Sequence, residues 1–306
     1  MAGLTSRAAS RVPAPALFVA GAVSMYVGAA LAVGLFDRLS PTVVAVLRVV
    51  SAGLVLLVIV RPGREAWRWP AVRGAAAYGL ATALMNIAFY EAIARLPLGT
   101  AVALEFVGPI VVAAAASRRA RDLAAVVLAA AGVVMIADVQ WAASASGFVW
   151  ALVAAGMWAA YIVLGKRVAM AGDGFSGMAV GFTVAAVLLS PLIVIGGPEG
   201  LAPLASPTVL VIAAGVGVLS SLLPYMFDQI VLRRVGRGRF AVLLALLPAT
   251  ATVIGLVALG QMPGPLEAVG IAAVVVAVAL RSREGDESDG SGPGGITGGE
   301  PLEGRS

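Results

Sequence analysis

The sequence predicts an all-α polytopic membrane protein, with ten transmembrane helices arranged as two inverted-topology five-helix repeats. Three observations carry this prediction. The 306-residue chain is 60% hydrophobic and only 12% charged, with a mean hydropathy of +1.00, against about 25% charged residues in a soluble domain. Long apolar stretches recur along nearly the whole chain, each long enough for a helical span, whereas barrel strands would be ~10 residues long and alternate in polarity. Finally, the first half of the chain reads as a copy of the second.

Ten spans run near 15–36, 41–60, 71–94, 98–116, 122–140, 147–165, 175–195, 207–231, 240–260 and 265–281. Turn formers or charges bound most of them. Asp37-Arg38 and Ser40-Pro41 separate spans 1 and 2, Arg61-Pro62-Gly63 ends span 2, and Pro97 opens span 4. Arg118-Arg119, Gly172-Asp173-Gly174, Gly196-Gly197-Pro198 and Pro263-Gly264-Pro265 do the same further along. The tail, 282–306, is rich in Gly, Ser, Glu and Asp and is expected to be disordered and cytoplasmic. Residues 1–14 form a short basic N-terminus. A cleaved signal peptide would remove span 1 and leave nine spans without symmetry.

The basic residues test this count. With a cytoplasmic N-terminus and alternating loops, eighteen of the 21 Lys and Arg residues fall inside and two, Arg38 and Arg95, outside, while Arg48 alone lies within a span. That asymmetry gives an N-in, C-in, multi-pass protein of a bacterial-type inner membrane. The basic balance is thus loop charge that orients the chain, and no nucleic-acid partner is expected.

The duplication shows in Arg95, Gly99, Leu104 and Pro109, which match Arg234, Gly238, Leu243 and Pro248 at an offset of 139. Gly21 and Tyr26 match Gly156 and Tyr161 at 135. The units are 15–140 and 147–281. Five spans per unit turn the second copy upside down, an arrangement suited to alternating access around a midplane site. Gly99, Pro109, Gly238 and Pro248 are the expected helix breaks and cavity residues, although each proline alone could be an ordinary tolerated kink.

Few polar residues lie deep. Glu105 interrupts the apolar run from Leu96 to Ala116, where an ionised carboxylate costs roughly 2.5–3.5 kcal/mol to insert. Counting from the outer face puts both Glu105 and Arg48 about 10 Å in. Equal depth invites pairing, either as a structural ion pair fixing span 2 to span 4 or as a site for a zwitterion or a proton. Asn86 and Tyr90 share one face of span 3. Glu91, about 100° round from Tyr90, is expected to be solvated and is the weaker proton carrier. Tyr225 on span 8 is a further hydrogen-bonding candidate. Asp228 reads as an interfacial carboxylate near cytoplasmic arginines, and Trp67, Trp69, Trp141 and Trp150 as an interfacial belt.

The chain has no Cys and no His, which removes thiolate and imidazole chemistry; no metal site and no cofactor is expected. It also lacks a phosphate-binding Gly-rich loop, and nothing supports an enzyme.

Residues 86–113 carry a resemblance. Phe89-Tyr90-Glu91-Ala92-Ile93-Ala94-Arg95-Leu96-Pro97-Leu98-Gly99, followed by Glu105-Phe106-Val107-Gly108-Pro109, is similar to the span 3–span 4 junction of the threonine and homoserine exporter branch of EamA-type transporters, within the drug/metabolite transporter superfamily. In the second half Leu244 stands where the first has Glu105. The resemblance implies export of small amino acids or related metabolites, driven by protons. The expected partners are a small-molecule substrate, protons and membrane lipid, with a homodimer left open. Export of drugs, purines or other metabolites on the same fold, and a membrane binding protein without turnover, are the alternatives.

Overall fold

The structure is a computed structural model that describes residues 13–115, 120–170, 174–194, 202–224, 227, 231 and 243–282. Tyr225, Asp228, Gln229, Gly238, the basic segment 233–239 and the tail beyond 282 lie outside the described residues. Among the described residues every regular element is helical, in the order α1 (Ala14–Val33), α2 (Pro41–Val60), α3 (Trp69–Ile93), α4 (Leu98–Glu105), α5 (Val107–Ala115), α6 (Ala120–Met170), α7 (Gly174–Leu189), α8 (Pro207–Gly217), α9 (Leu246–Leu259) and α10 (Pro265–Ser282).

The helix starts follow local chemistry. The Ser40 side chain accepts the Val43 N–H at 3.3 Å, and Pro41 takes the first helical position, where no amide hydrogen is needed. The loop expected between spans 5 and 6 is reduced to a kink within α6. Ser144 there is extended (φ −159°, ψ 81°), and its Oγ accepts the Gly147 N–H, starting the second limb as an N-cap starts a helix.

Span 4 is two helices. Pro109 lacks the N–H that would reach the Glu105 carbonyl, and its ring crowds that carbonyl. The chain yields at Phe106 (φ −65°, ψ −14°), between α4 and α5. The break therefore lies three residues before the proline. Ala245, just before α9 and three residues ahead of Pro248, has nearly the same dihedrals (φ −63°, ψ −18°). Span 8 departs from the single helix expected, because α8 passes into a π turn over Val218–Leu222.

Among the described residues four helical stretches, Ala14–Val33, Pro41–Val60, Ala143–Val168 and Phe175–Ile193, are long and apolar enough to cross a membrane; five others are apolar but shorter. Their outward faces are greasy: Val58, Val211 and Val257 are 69%, 71% and 77% exposed. An all-helical chain that turns large aliphatic side chains outward on several such helices is a polytopic membrane protein.

Small residues set the helix crossings. An added Cβ on Gly79 (α3) would collide with the Gly181 backbone (α7), and one on Gly181 with the Ala75 carbonyl. Gly132 on the first limb of α6 faces the Gly270 carbonyl of α10. Gly99 on α4 meets Thr252 of α9, Gly53 on α2 meets Phe182 of α7, and Gly108 on α5 meets Ala155 of the second α6 limb. Close backbone approach replaces the hydrophobic driving force that helices lack in lipid. At the Gly79–Gly181 crossing both colliding groups are main chain, so neither can swing aside. Gly79→Ala is expected to destabilise the fold by about 3 kcal/mol, seen as a lower melting temperature of the detergent-solubilised protein. An unchanged melting temperature would show the crossing to be looser than drawn.

Candidate functional site

Arg48 is the centre of the polar interior. It projects from the middle of α2, and its guanidinium is held by neutral groups. Nη2 donates to the Ser220 carbonyl at 2.8 Å and Nε to Ser221 Oγ at 3.2 Å. Nη1 reaches Tyr90 Oη at 3.5 Å, and the cation lies 5.6 Å from the Tyr90 ring centroid. Three of the five guanidinium N–H groups are engaged in this way. One on each terminal nitrogen has no partner among the described residues.

The acceptors come from the π turn. Leu223 N–H bonds to Val218 O instead of to Leu219 O. Pro224, which is buried, has no N–H for either Leu219 O or Ser220 O. Among the described residues two successive carbonyls are thereby left without helical donors. Ser24 Oγ on α1 donates to Leu219 O at 2.9 Å, and Arg48 takes Ser220 O. Ser220 Oγ returns a bond to Met25 O at 3.3 Å. Buried backbone must be satisfied from somewhere, and here spans 1 and 2 satisfy it.

Tyr90 is fully buried and is steadied edge-on by Phe36, with ring centroids 6.0 Å apart. Asn86 is buried one turn earlier, but its Nδ2 donates to the Thr82 carbonyl of its own helix at 2.8 Å. Among the described residues its amide oxygen accepts no hydrogen bond.

Glu105 is buried at the end of α4, only 8% exposed, and among the described residues no hydrogen bond or ion pair engages its carboxylate. It shares an electrostatic field with Arg48 and with Tyr26, also buried. The contact pair with Arg48 expected from equal depth is not formed. The π turn offers Arg48 a bare carbonyl, and the guanidinium turns to it.

Glu91 overturns its expected solvation. It is buried, accepting from Thr42 Oγ1 at 2.6 Å and from Arg95 Nη1 at 2.6 Å. Arg95 also donates to the Glu91 backbone carbonyl. A carboxylate one turn before an arginine on the same helix face is placed for this pairing. Glu91 thus ties α2 to α3 and is committed. Gly99 serves the α4–α9 crossing and borders a small recess of about 10 Å³ with Thr100, Gln261 and Pro263.

The EamA-like transporter family matches residues 145–283. The threonine/homoserine exporter RhtA of Salmonella typhimurium (strain SL1344) is 34% identical over 280 residues, covering 90% of this chain and 93% of that one. RhtA of Escherichia coli (strain K12) is 34% identical over 269 residues, covering 87% and 90%. The chain belongs to the EamA-like transporter family. A solved crystal structure, 20% identical, covers 89% of this chain and 98% of its own with a TM-score of 0.58, which shows a shared fold. Like these relatives, this EamA-like protein is a transporter and not an enzyme.

Two features escaped the sequence reading. The π turn had a signal: Pro224 lies four residues after Ser220, so a carbonyl had to be left open inside a span. Glu267 was missed because it follows the Pro263-Gly264-Pro265 turn and reads as interfacial. It is buried, accepts from Thr100 Oγ1, and takes the Gly264 N–H at 3.2 Å, closing the start of α10.

Proposed function

We propose that this protein is a proton-coupled exporter of small amino acids of the threonine and homoserine kind, working by alternating access in the inner membrane. The observation that carries this reading is the Arg48 guanidinium, held in place by neutral acceptors and, among the described residues, left with two N–H groups uncommitted, within the field of the buried Glu105, which no described residue engages. A zwitterion meets both needs. Its carboxylate takes the spare donors of Arg48, and its ammonium takes Glu105. When the substrate leaves, a proton replaces the ammonium on Glu105. The same carboxylate then serves substrate and proton in turn. Asn86, Tyr90 and Tyr225 supply hydrogen bonds around this pair.

The proposed architecture is ten spans in two inverted units, 15–140 and 147–281, with both termini cytoplasmic. The helix contacts support it, because several of them recur under exchange of span n with span n + 5. Span 1 packs on span 8 through Gly28 and Ser220, and span 6 on span 3 through Tyr161 and Tyr78. Span 2 meets span 8 at Ser51 and Gly217, and span 7 meets span 3 at Gly181 and Gly79. Span 1 packs on span 9, and span 6 on span 4 through Trp158 and Phe106. Spans 2 and 7, 4 and 9, and 5 and 10 are their own images. The paired breaks at Phe106 and Ala245 lie 139 residues apart, the offset of the sequence match. The family match, 145–283, nearly coincides with the second unit.

The test is flux in liposomes holding the purified protein, across a panel of amino acids, purines and hydrophobic cations, with and without an imposed pH gradient. Threonine and homoserine are expected to move, and faster with the gradient. Binding without flux would leave a membrane binding protein, and selective flux of cations or purines would replace the substrate class.

A further inference from the structure

We propose that Pro224 is a positioning residue for substrate recognition: by withholding an amide hydrogen inside span 8 it keeps the Ser220 carbonyl open, and that carbonyl aims Arg48. The inference rests on the reading that Arg48 meets the substrate carboxylate.

In a regular helix the Ser220 carbonyl would accept from the N–H of residue 224. A proline there has no such hydrogen, and its ring would crowd that carbonyl. The π turn over Val218–Leu222 widens the helix by one residue and relieves the crowding. Turn and proline together also deprive Leu219 O, since Leu223 N–H is used by Val218 O. The result is two adjacent acceptors on the face toward spans 1 and 2, filled by Ser24 and Arg48. The bond to Ser220 O is, at 2.8 Å, the shortest that the guanidinium makes among the described residues. The neighbourhood is fitted to this geometry: Gly28 on span 1 has no room for a Cβ beside Ser220. Because the acceptors are neutral, they orient the guanidinium without neutralising it, and the full charge remains for an anionic group.

Pro224→Ala returns a helical donor to this carbonyl pair, in competition with Arg48. The KM for threonine is expected to rise about tenfold, as for a lost bond to a charged group, with kcat within about twofold. Lactic acid installed at position 224 by nonsense suppression forms an ester, which also lacks an N–H, and is expected to keep the native KM. If the ester behaves like Pro224→Ala, the proline ring and not the missing hydrogen matters, and the proposal is overturned. A cycle of melting temperatures decides the placement of Arg48 without reference to transport. Arg48→Gln is expected to cost less stability in the Pro224→Ala background, where Ser220 O has another partner. Additive losses overturn the proposal. If Arg48→Gln alone leaves KM unchanged, the substrate reading fails instead, and the melting cycle still decides whether Pro224 places Arg48.

Discussion

Glu105→Gln is expected to abolish the response of transport to a pH gradient while a weaker, gradient-independent substrate exchange across the membrane persists. For one proton exchanged per substrate, a gradient of one pH unit sustains up to about a tenfold substrate ratio, because one unit is worth 1.36 kcal/mol. The glutamine variant should fall to a ratio near one. The position explains why. Glu105 ends α4, beside the break at Phe106, and is buried without a hydrogen bond among the described residues. A committed carboxylate, such as Glu91 between Thr42 and Arg95, could release its partners only by breaking an inter-helix tie. Glu105 has no such tie to break, so binding and losing a proton leave the packing in place. The same reasoning predicts that Glu105→Gln does not lower the melting temperature, since a near-isosteric amide breaks no bond among the described residues and carries no charge into an interior that disfavours one. Gradient-driven accumulation in proteoliposomes and counterflow without a gradient separate the two effects. A variant that still accumulates threonine tenfold would move the coupling proton elsewhere, with Glu267 as the next buried carboxylate to test.

The membrane class and its apolar helices were legible because composition and span length act over the whole chain, and no local detail can reverse them. Local backbone chemistry was harder to read. Pro109 advertised a break, but the break is at Phe106, since the strain of a missing bond and a crowded ring falls on the turn preceding the proline. The loop at 141–146 was overdrawn, because one extended residue, Ser144, suffices to redirect a helix. The polar residues were harder still. Depth along a helix follows from counting at 1.5 Å per residue, and it brought Arg48 and Glu105 to one level. It carries no information about azimuth or about competing acceptors on a third helix. Ser220 and Ser221 were visible as deep polar residues. Their role was not, because the acceptor that draws Arg48 away from Glu105 is a main-chain carbonyl, and every residue has one. Glu91 was misjudged for the opposite reason. Its place near a helix end suggested solvent, but Thr42 and Arg95 enclose it.

Arg48→Gln is expected to raise the KM for threonine roughly a hundredfold, the effect of losing about 3 kcal/mol of charge-assisted bonding. Two consequences identify the cause. First, the variant strands Ser220 O and Tyr90 Oη, so stability should also fall, by about 1–3 kcal/mol for the unsatisfied carbonyl; a loss of stability alone would lower the amount of active protein and leave KM unmoved. Second, the discrimination between an amino acid and the matching amino alcohol should collapse. The native protein reads the carboxylate through the two N–H groups that Ser220, Ser221 and Tyr90 leave over, so the alcohol should bind about a hundredfold more weakly than the acid. In the glutamine variant the two KM values should converge. Arg48→Lys should lie between, since an ammonium keeps the charge but lacks the planar fork that can hold protein and substrate at once. If the native protein fails to distinguish acid from alcohol, the guanidinium is a structural brace between spans 2 and 8, and the substrate carboxylate must be bound by another group.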